Sequence, residues 1–99
     1  MAKQRRKSGE KNFTAPQLIE LRKYKGVSQR ELAQELQLIG CDIDKNVITR
    51  IETYKRYVND LELKALSQLF QVSYSYLIDG VKTEEDEKRH PELKSPHTK

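Results

Sequence analysis

Lys45, Asn46, Thr49 and Arg50 are the residues of this 99-residue chain whose types and spacing best fit a chemical task. At about 100° per residue they fall within one arc of roughly 140° on a helix, with Val47, Ile48 and Ile51 on the opposite side. The polar arc holds two cations, an amide and a hydroxyl, and no acid. Such groups hydrogen-bond phosphate oxygens and base edges: an Arg can bridge guanine O6 and N7, an Asn adenine N7 and N6. Asp44 stands just ahead as an N-cap, its carboxylate able to accept from the first free backbone N–H groups. The stretch Asp44 to Glu52 therefore reads as one short helix, apolar behind and equipped in front to read DNA.

Other chemistries find little support. Cys41 is the single cysteine, so no internal disulfide can form and Cys-rich zinc sites are excluded. No His or acid stands at a reactive spacing from it, and it reads as a half-buried spacer in a turn. His90 and His97 lie in the C-terminal tail with no ligand cluster around them, so no metal and no cofactor is implied. There is no glycine-rich phosphate loop and no nucleophile–base arrangement, and enzymatic activity is not expected. No apolar run approaches the length of a membrane span, and the N-terminus M-A-K-Q-R-R-K lacks the apolar stretch of a signal peptide. A reducing, cytoplasmic location is expected.

The formal charge of +4 is unevenly distributed. Residues 1–12 carry Lys3, Arg5, Arg6, Lys7 and Lys11 against Glu10, which accounts for all of it; residues 13–81 and 82–99 each balance to zero. A basic tail can track a phosphate backbone or reach a minor groove, or it can be a solvated extension that aids solubility.

The elements that must position the polar arc can be read in order. Residues 1–12 lack apolar periodicity and are expected to be a basic disordered tail. Thr14-Ala15-Pro16-Gln17 reads as a helix start, with Thr14 the cap and Gln17 at the capping-box position. Leu18, Ile19 and Leu21 supply a buried face, and Gly26 closes this helix of about 15–25. Ser28 and Glu31 form a capping box opening a helix of about 29–39, with Leu32, Ala33, Leu36 and Ile39 inward. Gly40 ends it, and Ile43 is expected to plug the core before the helix of about 45–53. A basic-aromatic loop, Tyr54 to Val58, leads to Asn59 and Glu62, a second capping box launching a helix of about 60–71. Ser73 caps a last short helix, 74–79, ended by Gly80. The expected architecture is all-α, a compact five-helix domain over 13–80. Residues 81–99 read as a mixed-charge, mostly disordered tail with at most a frayed turn around 83–89.

With these pieces laid out, the chain resembles the Cro/C1-type (XRE) helix-turn-helix family, the DNA-binding domains of lambdoid phage repressors and Cro proteins. The resemblance covers roughly residues 16–80. It is carried by L-R-x-x-x-G-V-S-Q-x-E-L-A at 21–33, I-T-R-I-E at 48–52 and L-x-x-L-x-x-x-F-x-V-S-x-x-x-L-I at 63–78. It implies that Lys45, Asn46, Thr49 and Arg50 read bases. It also implies that Gln29, with Ser28, meets a phosphate at a helix N-terminus, and that Lys55, Arg56 and Tyr57 grip the adjacent phosphates. Arg22 and Glu52 match a partly buried ion pair tying the first helix to the recognition helix. One feature departs from the family's tight turn. Gly40 falls twelve residues after Ser28, and Asp44 four after Gly40, matching a sub-group with an extended turn. The extra residues are either a harmless loop extension or a device that shifts the approach to DNA.

The resemblance implies a sequence-specific transcriptional regulator of double-stranded DNA, a repressor binding a palindromic operator through the major groove. It would act as a homodimer formed in solution or only on DNA, through apolar surface near Tyr74, Tyr76, Leu77 and Val81. A different class of function competes: an antitoxin or regulatory interaction module whose tails bind a partner, with DNA binding secondary. RNA binding is disfavoured because Tyr54, Tyr57, Tyr74 and Tyr76 form no stacking platform on a sheet.

Overall fold

The computed structural model describes residues 11–91 and Leu93. Those residues form six helices and no strand: α1 Ala15–Lys25, α2 Gln29–Leu38, α3 Lys45–Glu52, α4 Asp60–Phe70, α5 Tyr74–Asp79 and α6 Glu84–Arg89. Five of them lie where the apolar periodicity and caps place them. The sixth falls in the acidic stretch after Gly80, which contributes no apolar stripe and so gives no periodic signal. It is held by Thr83, whose side chain accepts from the Asp86 N–H while the Asp86 carboxylate accepts from the Thr83 N–H.

The helix starts show why these segments fold locally. Ser28, Asp44, Asn59 and Ser73 are all extended and each accepts from the backbone N–H three residues on. Each such bond satisfies one of the donors a helix leaves open at its N-terminus, contributing about 1 kcal/mol. Thr14 is the exception. It is helical itself and makes no side-chain cap bond; the acceptor is Asn12, whose Oδ1 takes the N–H groups of Thr14 at 2.9 Å and Ala15 at 2.8 Å. Gln17, expected to complete a box with Thr14, is buried and spans helices instead, donating to the carbonyls of Phe13 and Leu77. Gly26 ends α1 at φ 78°, a left-handed conformation in which its N–H reaches back to Arg22 and Lys23.

One apolar core lies beneath α1 to α5. Leu18 and Leu21 of α1, Leu32, Ala33 and Leu36 of α2, and Ile48 and Ile51 of α3 meet Leu66 and Phe70 of α4 and Leu77 of α5. Ile43 joins them from the α2–α3 connection and is buried. Ile39 does not: it is the residue after α2's last turn and is 37% exposed. The buried Tyr76 crosses from α5 to α1 and donates its hydroxyl to Glu20 Oε1 at 2.7 Å. Burial, then the Glu20 carboxylate, push that phenol's pKa far up, because both oppose a phenolate.

The end of the described chain is latched onto this body. Asp86 is buried and its carboxylate accepts from the Ser73 N–H at 2.9 Å and the Ser73 hydroxyl at 2.5 Å. Burial alone pushes the Asp86 carboxyl up, but the bonds from Ser73 and Thr83 outweigh it and hold it below the ordinary carboxylate range. Leu93 inserts into the core, and the Lys82 ammonium donates to its carbonyl. His90 stands edge-on to Tyr24 of α1 and meets the Gln71 carbonyl through Nε2.

Candidate nucleic-acid interface

α3 buries Ile48 and Ile51 and half-buries Val47, which fixes its rotation about its own axis. Lys45, Asn46 and Arg50 are consequently exposed on the outer face, and Thr49 lies between the exposed and buried sides. Glu52, at the helix's last turn, is buried at its inner edge.

Glu52 is the hub of a network over three helices. Its Oε2 accepts from Arg22 Nε at 2.7 Å and its Oε1 from Arg22 Nη2 at 3.1 Å, a bidentate pair between α1 and α3. Gln29 Nε2, from the first position of α2, donates to the same Oε1 at 2.8 Å. Gln29 Oε1 in turn accepts from the Thr49 hydroxyl at 2.7 Å. Arg22 also donates through Nη1 to the Val27 carbonyl, holding the α1–α2 corner. The hydrogen bond to Glu52, set against burial, raises the Arg22 pKa.

The network places Gln29 and Thr49 side by side, with both side chains occupied. Ser28 is occupied too: its hydroxyl accepts from Glu31 and its N–H donates to Glu31 Oε1. The first turn of α2 keeps further backbone N–H groups beyond those the capping box uses, on the positive end of the helix dipole.

The loop after α3 carries the remaining candidates. Lys55 is exposed, and its N–H closes the end of α3 on the Arg50 carbonyl at 2.7 Å. Arg56 is committed within the fold, with Nη1 2.8 Å from Glu62 Oε1 and 3.0 Å from the Tyr57 carbonyl. The Glu62 bond raises the Arg56 pKa against the cost of burial. Tyr57 is exposed, with the Lys11 ammonium 5.2 Å from its ring centre. Tyr54 takes a φ of 65°, which turns the chain sharply out of α3.

Asn12 is the residue at this interface that periodicity overlooks, because it falls within the polar N-terminal stretch. It is 5% exposed, and its Nδ2 donates to the carbonyls of Ile51 and Arg56, spanning the loop after α3. The usable signal is local: an Asn just ahead of Thr-Ala-Pro can cap through its own side chain. Cys41 is half-buried in the α2–α3 connection, and burial pushes its thiol pKa up, the direction of an unreactive cysteine. Among the described residues no cluster of His, Cys, Asp and Glu is arranged to hold a metal ion, and no helix is long and apolar enough to cross a membrane. His97 lies outside the described residues.

Two capped helices, α2 and α3, are packed on a common core, and the second presents a cationic and amide face. That arrangement defines a helix-turn-helix DNA-binding domain. A helix-turn-helix family model matches residues 18–77, more than half of the chain, which belongs to the Cro/C1-type (XRE) family of sequence-specific DNA-binding regulators. Neither the curated proteins nor the solved structures compared with the chain gave a match.

Proposed function

We propose that the chain is a transcriptional repressor that binds a two-fold symmetric operator as a homodimer, with α3 in the major groove. Arg50 reads a guanine, Asn46 an adenine, and Lys45 is shared between a base edge and the backbone. Lys55 and the N-terminal N–H groups of α2 hold phosphates on either side. The observation that carries this reading is the fixed rotation of α3. Ile48 and Ile51 are anchored behind, Glu52 is bonded to Arg22 and Gln29, and Lys45, Asn46 and Arg50 stand exposed in front. Thr49 contributes by holding Gln29 in place, its hydroxyl being engaged there. Of the apolar residues expected at a dimer contact, Tyr76 and Leu77 are fully buried, which leaves Tyr74 and Val81 at the surface.

Selection of bound sites from random duplex DNA tests this directly. The expected result is an inverted repeat whose half-sites lie about one helical turn, roughly 34 Å, apart. Arg50→Ala should relax the preference at one base pair per half-site by about 1–3 kcal/mol and leave the other positions alone. A recovered motif without symmetry would remove the homodimer, and equal binding of the selected site by Arg50→Ala would remove that residue's role. Repression is tested separately, with the recovered site overlapping a reporter promoter.

A further inference from the structure

The buried side chain of Asn12 uses every hydrogen-bonding position it has. Its Oδ1 accepts from the N–H groups of Thr14 and Ala15 at the start of α1. Its Nδ2 donates to the carbonyls of Ile51, in the last turn of α3, at 3.2 Å and of Arg56, in the following loop, at 2.9 Å. The Lys11 N–H donates to the carbonyl of Tyr54, which lies between them, at 3.1 Å. Two neighbouring residues thus grip the segment 51–56 at both ends and in the middle. The basic stretch ahead of Lys11, residues 1–10, lies outside the described residues.

The gripped segment contains a strained turn. Tyr54 has a φ of 65°, a left-handed conformation that a residue with a Cβ keeps only where its surroundings over-determine it. That turn decides where Lys55 leaves the chain. The Lys55 side chain is exposed, so the backbone on either side sets its position relative to α3. On one side its own N–H bonds the Arg50 carbonyl at 2.7 Å; on the other the Arg56 carbonyl is held by Asn12. A lysine already held at a fixed place beside α3 loses less freedom on meeting a phosphate than one carried by a loose loop.

We propose that Asn12 is a positioning residue for DNA binding, resting on the reading of α3 as the DNA-reading helix and of Lys55 as a phosphate contact. Through the carbonyls of Ile51 and Arg56 it fixes the turn that aims Lys55 at the DNA backbone. It touches no DNA itself, and it changes affinity without changing base preference.

The test compares the full chain with Asn12→Ser, Lys55→Ala and the double variant on the selected duplex, at a temperature where circular dichroism shows all four folded. Serine keeps an acceptor for the start of α1 but is too short to reach the Ile51 and Arg56 carbonyls. Lys55→Ala should lower affinity roughly threefold to tenfold, and the slope of log affinity against log salt by about 0.9 per protomer. Asn12→Ser should lose at least about threefold in affinity, keep the selected motif, and cost nothing further in the Lys55→Ala background. Additive losses, an unchanged affinity or a changed motif each overturn the proposal. Asn12→Ala also removes the acceptor at α1, so it should be less stable than Asn12→Ser and yet bind no more weakly. Affinity that follows stability across those two variants makes Asn12 structural only and overturns the proposal, as does an Asn12→Ser chain that does not fold. Solvent exchange of the Lys55 N–H should quicken in Asn12→Ser more than that of the Ile48 N–H within α3, and an equal rise at both counts against it. If Lys55→Ala binds as the parent does, the phosphate role of Lys55 falls and the proposal with it, while the reading of α3 stands. A parent chain that binds no duplex overturns that reading too.

Discussion

Replacing Glu52 with Ala removes three hydrogen bonds at once: two from the Arg22 guanidinium and one from the Gln29 amide. The Glu52 side chain is 5% exposed and that of Arg22 17%, so the stranded cation is poorly compensated by water. Breaking a buried pair from one side costs about 3–5 kcal/mol. Arg22 keeps its bond to the Val27 carbonyl and some solvent, which places the expected loss near the lower end, about 3 kcal/mol. For a domain of this size that corresponds to a fall in Tm of roughly 12–24 °C, measured by the helical circular dichroism signal on heating or in urea. Arg22→Met combined with Glu52→Leu removes both charges and should recover part of the loss, because two apolar side chains of similar volume leave nothing buried and unpaired. A double-mutant cycle on the parent, Arg22→Met, Glu52→Leu and the double variant then isolates the coupling, expected at about 1 kcal/mol or more. The reasoning is refuted if Glu52→Ala stays within about 0.5 kcal/mol of the parent, the range of ordinary surface changes. It is equally refuted if the cycle is additive. DNA binding supplies a second readout. At a temperature where Glu52→Ala is still folded, its affinity should fall further than its folded fraction explains, because Gln29 is left with only its bond from Thr49.

Two further outcomes follow from the same structure. Asp86 has a folded pKa below its unfolded value of about 3.9. The stability it contributes is therefore present above that value and lost as pH falls through the folded one. Acid titration of stability should be shallower in Asp86→Asn than in the parent below about pH 4, and parallel curves would remove Asp86 from the acid response. Gln71 ends α4 at φ 58°, a left-handed conformation unfavourable to a side chain. Gln71→Gly should stabilise the domain by about 1 kcal/mol, the left-handed cost to a side chain less the entropy Gly loses on folding, seen as a higher urea midpoint; a lowered midpoint would mean that the Gln71–Gln68 bond outweighs the backbone term.

Elements whose signal is local were legible in the chain. A cap binds a donor three residues away, and an apolar stripe repeats within one helix, so Ser28, Asp44, Asn59 and Ser73 and the five helices they and α1 define can be read directly. What escaped depends on partners far away in sequence. Asn12 is buried because Ile51 and Arg56 offer it carbonyls from 39 and 44 residues away, and Gln17 because Leu77 does so from 60. Leu93 and Asp86 sit in a polar stretch with no period, and only their docking against the helical body, for Asp86 at the α5 N-terminus, explains their burial. The candidate site shows the same division. The outer face of α3 follows from steps of about 100°, but that Gln29 and Thr49 bond each other, and that Arg56 is held by Glu62, depends on how α2, α3 and α4 come together.

The extended connection between α2 and α3 bears on how the recognition helix is aimed. If those residues formed a hinge, the angle between the helices would be set by a loop. They are instead tied down along their length: the Cys41 N–H bonds the Leu36 carbonyl at 2.9 Å, Gln37 Nε2 donates to the Ile43 carbonyl at 2.8 Å, and Ile43 is buried in the core. The two helices are meanwhile joined independently of the connection, through the shared core of Leu32, Leu36, Ile48 and Ile51 and through Gln29's bonds to Glu52 and Thr49. Packed apolar surfaces and short side-chain hydrogen bonds to a carboxylate constrain orientation far more stiffly than a surface loop does. The angle of α3 is therefore held at both ends of the helix pair: by Gln29 and Glu52 at one, and at the other by the connection itself, which inserts Ile43 into the shared core.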